Sequence, residues 1–245
     1  MINQGTIRAA NSYIVSQLKH SKEPSKQIVT KITQPFVTIS REAGAGGTSV
    51  GEKLVDYLNF KEPDVECKWT LFDKNLIEKV IEEHNLPDEF RQFMSEEKVS
   101  EMQNVFEILM GLHPGISKLA AKTCSTILHL ASIGNVVLVG RGANIITKNL
   151  KGGIHVRIIA DPEWKIKHVQ SMYEFDRKQA VKFIDEEETK RKEFVKKQFN
   201  KNVDDPLLYD LMIRTGSVSF NEAAEMIGDR VLHAKHYLSL QMEPY

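Results

Sequence analysis

At 245 residues the chain is long enough to bury a full core, as one α/β domain with insertions or as a core with a small cap. Its 33 basic residues balance 33 acidic ones, so no net field draws it to nucleic acid or a membrane, and any anion site must be local. Two cysteines, Cys67 and Cys124, lie far apart without metal-ligand spacing. No run reaches the length of a membrane span and the N-terminus lacks a signal-like pattern, so a soluble, cytoplasmic protein with reduced packing cysteines is expected.

Ile7, Ala10, Tyr13, Ile14 and Leu18 recur at helical spacing and predict a helix over about 6–19. The polar stretch 21–34 reads as a linker, making residues 1–34 an N-terminal extension that docks on the core or on a partner chain. The core, about 35–235, alternates strands and helices. Phe36 to Ser40 is the first strand, with a helix from Ser49 to Leu58 beyond a glycine-rich turn. Trp69 to Phe72 is a short strand ending at Asp73, with a helix over about 74–84. Residues 86–131 read as helices broken around Pro87 and at His113-Pro114-Gly115, with one apolar stripe through Val105, Ile108, Leu109 and Leu112 and another from Leu119 to Ala131. Asn135 to Val139 is a continuous apolar strand, the pattern of a sheet covered on both faces, and it ends in Gly140-Arg141-Gly142. Gly153 to Ala160 gives a fourth strand, closed by Asp161-Pro162-Glu163, an N-cap and first turn. A charged helical stretch follows over about 162–200, then a fifth strand from Leu207 to Ile213. Ser219 with Glu222 forms the capping-box pattern of a last helix.

The turn after the first strand, Arg41-Glu42-Ala43-Gly44-Ala45-Gly46-Gly47-Thr48-Ser49, has the strand, small-residue loop and helix order that binds phosphate. Glycines let backbone N–H groups approach the anion. The pattern departs from G-x-x-x-x-G-K-[ST]: Arg41 stands at the first glycine and Gly47 at the lysine, so the usual cation is missing and Arg41, Lys53 or Lys74 would have to reach in. Repeated β–α alternation implies a parallel, doubly wound sheet, whose ligands collect outside the carboxyl ends of the strands. The glycine loop, Asp73, Gly140-Arg141-Gly142 and Asp161 all follow strand ends and should share one edge.

Thr38-Ile39-Ser40-Arg41-Glu42 into Gly44-Ala45-Gly46-Gly47 resembles the loop of the cytidylate kinase-like family, a divergent branch of the P-loop nucleoside monophosphate kinases. Phe72-Asp73-Lys74, Val139 to Ala143, Ala160-Asp161-Pro162 and Asp205 to Leu211 are similar to that family in the same order. The resemblance implies a P-loop NTPase-type five-stranded parallel sheet with a helical acceptor-binding insertion over about 84–132 and a basic helical lid over about 165–200. It implies phosphoryl transfer from ATP with Mg2+ to a nucleoside monophosphate, CMP or dCMP. The loop residues Arg41, Ala43, Gly44, Ala45, Gly46, Gly47, Thr48 and Ser49 would bind the ATP phosphates, with Thr48 or Ser49 meeting magnesium. Arg141 would grip the acceptor phosphate, because a guanidinium binds phosphate oxygens bidentately. Asp73 would place magnesium or the acceptor, or simply cap the helix after it. Arg177, Lys190 and Arg191 would supply lid cations, although Glu186-Glu187-Glu188 ahead of Lys190-Arg191-Lys192 also reads as a solvated helix face. The eight histidines have no ligand spacing. A nucleotide-binding or regulatory module without turnover is the alternative class, and the apolar helical surfaces would suit a homodimer.

Overall fold

The computed structural model describes residues 4–20, 34–65, 67–77, 104–111 and 118–240. In chain order they form α1 (Gln4–His20), β1 (Phe36–Arg41), α2 (Gly47–Lys61), β2 (Thr70–Phe72), α3 (Lys118–Ile133), β3 (Val136–Val139), α4 (Ala143–Ile146), β4 (Gly153–Ala160), α5 (Pro162–Tyr173), α6 (Arg177–Phe199), β5 (Leu211–Thr215) and α7 (Phe220–Leu240). Residues 74–77 and 104–111 are also helical. The expected linker over 21–34, apart from its last residue, and most of the expected helical insertion lie outside the described residues.

All four strand pairings are parallel, in the order β2-β3-β1-β4-β5. This is the doubly wound α/β class that the alternating pattern predicts. Side chains of a strand alternate between faces, and the two large cores follow that alternation. Val136 and Leu138 of β3 join Phe36 in the cluster covered by α1, α3 and α4. Val137 and Val139 join Val37, Ile39, Leu54, Ala223 and Ile227 in the cluster under α2 and α7. Burial on both faces explains why β3 reads as an unbroken apolar run.

The N-terminal extension docks on the core. Ala10, Tyr13 and Ile14 of α1 enter the first cluster, Tyr13 meets Phe72 edge to face, and its hydroxyl donates to the Gly134 carbonyl at 2.6 Å. In the 104–111 stretch Val105 and Leu109 are buried while Ile108 faces outward. Among the described residues no helix is long and apolar enough to cross a membrane.

Two expectations need correction, at the fifth strand and at Asp161. The fifth strand begins four residues later than its apolar run suggests. Asp205 accepts from the Leu207 amide and starts a 3-10 turn at Pro206–Leu208, which consumes the leucines before β5 pairs with β4. The charged helical stretch over 162–200 is made of two helices. Glu174 is left-handed at the end of α5, and Asp176 and Gln179 form a reciprocal capping box that starts α6. Asp161 precedes Pro162 at the start of α5 as expected, but its side chain makes no cap bond and meets Arg214 at 3.4 Å instead. The Ser219–Glu222 box is formed reciprocally, with both amide bonds present.

Candidate functional site

Because every strand is parallel, the segments leaving β1, β2, β3 and β4 emerge on one edge of the sheet. The glycine loop turns there with Gly44 and Gly46 in left-handed conformations at φ 78° and 77°. A side chain at Gly46 would strike the Phe220 ring, so glycine is required at 46 by conformation and by space. Helix α2 starts at Gly47 with no side-chain cap on its N-terminus, leaving its first amides oriented toward the loop. The loop is braced from below by Thr215, whose hydroxyl donates to the Ala45 carbonyl at 2.8 Å. It is braced from the side by Glu42, which accepts from the Ala160 amide and from Lys165.

Beside the loop lies a cavity of about 280 Å³. Among the described residues six cationic ones line it, Arg41, Lys74, Arg141, Arg157, Lys190 and Arg191, against two carboxylates, Glu187 and Glu188. Arg141 sits in the Gly140-Arg141-Gly142 turn, where all three residues have positive φ, including 54° at Arg141 itself. Backbone held in that region by a residue with a Cβ costs energy, and such strain concentrates where a side chain must be aimed. Here the turn sends the Arg141 guanidinium over the Phe194 ring of α6, at 5.5 Å.

Arg157 is the most deeply buried of the six, with its side chain only 3% exposed. It projects from β4 on the face opposite the α2 core, donates to Ser40 Oγ at 2.9 Å and to Asp204 at 2.8 Å, and lies 5.8 Å from the Tyr209 ring. Asp204 also binds Lys192 of α6 at 2.8 Å, which ties the helix to the cavity floor. That bond is the main cause holding the Lys192 ammonium above its ordinary pKa.

The α5–α6 hairpin packs directly on the loop. Ala43 is buried in a small cluster with Ile166, Val169, Ala180 and Ile184. The Ala43 amide donates to the Glu188 carboxylate, and Arg191 donates to the Arg41 carbonyl at 3.3 Å. Burial is the main cause lowering the Arg191 pKa, opposed by Glu188 and Glu187. Arg41 is lowered to about 10, first by burial and then by the neighbouring Arg191 charge.

The fold thus gathers Arg41, Arg141, Lys190 and Arg191 around one cavity, next to a turn made by Ala43, Gly44, Ala45, Gly46 and Gly47. Thr48 and Ser49 occupy the first turn of α2. Asp73 accepts from the Leu76 amide at 2.8 Å, a helix cap, while lying close enough to Arg41 to raise its pKa. Arg177 is not among the lining residues. It forms a two-pronged pair with Glu163 at 2.8 and 2.6 Å, with both side chains more than half exposed. Trp69 is core and Trp164 stacks on His168, 4.9 Å between ring centres. Sequence reading passed over Arg157, Ser40, Asp204 and Glu188. Arg157 had a signal, a lone arginine inside an apolar strand, since a buried charge demands a partner. Glu188 had none, because its triplet of acids looks like any solvated helix face.

Residues 36–217 match the family model described as the cytidylate kinase-like family. Among solved structures, an uncharacterised protein from Eubacterium ventriosum ATCC 27560 is similar at 22% identity and TM-score 0.62, over 82% of this chain and 99% of that one. Shikimate kinase from Acinetobacter baumannii in complex with shikimate matches at 18% identity and TM-score 0.40, over 83% of this chain and 96% of that one. No curated protein matches the chain.

Proposed function

The chain belongs to the cytidylate kinase-like family, and from that premise we propose that it transfers a phosphoryl group from ATP to a nucleoside monophosphate, CMP or dCMP. The observation that carries this reading is the cavity in which, among the described residues, six cations outnumber two acids, beside a glycine loop at the carboxyl edge of a parallel sheet. Phosphoryl transfer rests on positioning and on neutralising the charge of the moving group, and clustered guanidinium groups serve that purpose.

In this reading the loop amides and the uncapped start of α2 hold the donor phosphates. Arg141, aimed by its strained turn and backed by Phe194, grips the acceptor phosphate. Arg157 forms the cavity floor, held in place by Ser40 and Asp204. The α5–α6 hairpin acts as the lid, with Arg191 and Lys190 facing the transferring group and Arg177 supporting the hairpin through Glu163. Magnesium would supply charge neutralisation on the donor phosphates. The site fits it modestly: among the described residues no three acidic or histidine side chains converge, but magnesium takes most of its ligands from phosphate and water. The hydroxyls of Thr48 and Ser49 are the protein groups to hold it, and Asp73, engaged as a cap, serves mainly to orient Arg41.

The test is ADP release from ATP and magnesium against a panel of nucleoside monophosphates. Stimulation by CMP or dCMP, lost about 10²-fold or more in Arg141→Ala, is the expected result. One contact favours a second reading, a nucleotide-binding module without turnover: the Glu188 carboxylate already sits on the loop amide at Ala43. Nucleotide binding without turnover for any acceptor would select it.

A further inference from the structure

The loop lacks the lysine that ordinarily reaches the donor phosphates, and the space such a side chain would use is filled. A Cβ built on Gly47 would fall 2.5 Å from Arg41 Cβ and 2.8 Å from its Cγ. At the far end of the same side chain, a Cβ on Gly140 would run into the Arg41 guanidinium. Arg41 therefore runs from the glycine loop to the turn that carries Arg141, with a glycine flanking it at each end. Gly140 needs its glycine for conformation too, at φ 86°, whereas Gly47 is not among the positive-φ residues. Its lack of a side chain answers to Arg41 alone.

The guanidinium is desolvated by burial and crowded by like charge from Arg191 and Arg141, with Asp73 and Glu187 opposing. Among the described residues no hydrogen bond or ion pair engages it, in contrast to Arg157, fixed by Ser40 and Asp204, and to Arg177, fixed by Glu163. A charge held in that way is completed by an anion from outside the protein.

We infer that Arg41 replaces the missing loop lysine, its guanidinium bridging the terminal phosphate of the donor and the acceptor, with Gly47 and Gly140 leaving the channel through which it reaches. The inference rests on the phosphotransfer reading and names the cation that reading requires. An arginine in this place offers two parallel N–H donors where lysine offers a single point charge.

A swap of the two positions tests it. Binding of inorganic triphosphate and of ATP with magnesium is measured by calorimetry for the full chain and for Arg41→Ala, Arg41→Gln, Gly47→Lys and the double variant Arg41→Gly with Gly47→Lys, in which the Arg41 Cβ that a side chain at 47 would meet is also removed, with urea midpoints recorded for each. Both Arg41 single variants should bind each probe at least about tenfold more weakly, since each loses charge-assisted hydrogen bonds. Gly47→Lys alone should also weaken binding, because two stems then compete for one channel. The double variant should recover most of the affinity lost in Arg41→Ala, with the cation now arriving from the other side. A folded Arg41→Gln that binds like wild type overturns the inference, as does a folded double variant no tighter than Arg41→Ala. Wild-type protein that binds neither probe overturns the phosphotransfer reading itself, a result distinct from binding that is indifferent to residue 41.

Discussion

Strand β4 and helix α6 both carry charge, in opposite ways. The strand has only His155 and Arg157 among apolar residues, and both are built into the structure through partners on β1: Thr38 for His155 at 2.8 Å and Ser40 for Arg157 at 2.9 Å. The helix is charged along nearly its whole length, yet only its middle turns bring charge to the cavity, through Glu187, Glu188, Lys190 and Arg191. Its first turn holds Arg177 in a solvent-exposed pair. Density of charge is therefore a poor guide to the site. What decides is whether the backbone brings a charge to the carboxyl edge of the sheet, where desolvation makes it consequential.

The comparison is most easily broken at Arg157. Removing it leaves Asp204 to Lys192 alone and Ser40 to the Tyr209 hydroxyl, and empties the space beneath the cavity. Breaking a fully buried pair costs about 3–5 kcal/mol, and with Asp204 42% exposed a loss of about 2 kcal/mol is expected for Arg157→Ala, read from urea unfolding. A loss no larger than that of a surface substitution would put Arg157 in the same class as Arg177.

Glu188→Gln probes the one acid of α6 that reaches the loop. In the phosphotransfer reading, replacing a carboxylate with a neutral acceptor at the Ala43 amide removes an anion that competes with phosphate. Inorganic triphosphate should bind about three- to tenfold more tightly by calorimetry. Unchanged or weaker binding would mean that Glu188 holds the loop rather than competing for it.

His155 sharpens the strand side through pH. Burial lowers its pKa below 6.5, against an upward pull from Asp210 and with a smaller downward push from Lys148. The unfolded chain therefore takes up the proton first, so this contribution is intact above about pH 6.5 and is lost as the pH falls toward the folded-state value. Urea midpoints should drop between pH 7.5 and 5.5 by more in wild type than in His155→Asn. An equal drop in both would assign the acid sensitivity to other groups.

Arg177→Ala completes the series with the smallest effect. Its partner Glu163 is exposed and water replaces the pair readily, so neither the urea midpoint nor triphosphate affinity should move measurably. A clear loss of turnover with binding intact would show that the hairpin end closes over the reaction and brings Arg177 inward.

Much of the sheet was readable because its strands are short apolar runs with glycine or capping signals at their ends. Gly153 to Ala160 coincides with β4, and Val136 to Val139 lies within the expected third strand. The reading slipped where a local side-chain bond outranked hydrophobicity, as at Asp205, which turns the chain through Leu207 and delays β5. The Arg141 turn was legible from its two glycines, whereas the Glu188 contact joins residues 145 positions apart and leaves no local trace.

By itself the sequence determined the strand and helix alternation, the glycine-rich turn and the family, since each depends on residues near one another along the chain. Only the tertiary structure decided which cations meet. Arg41 threads past Gly47 to Gly140, Arg157 locks to Asp204, and Arg177 stays in solvent, because such pairings depend on strand order and helix packing rather than on local pattern.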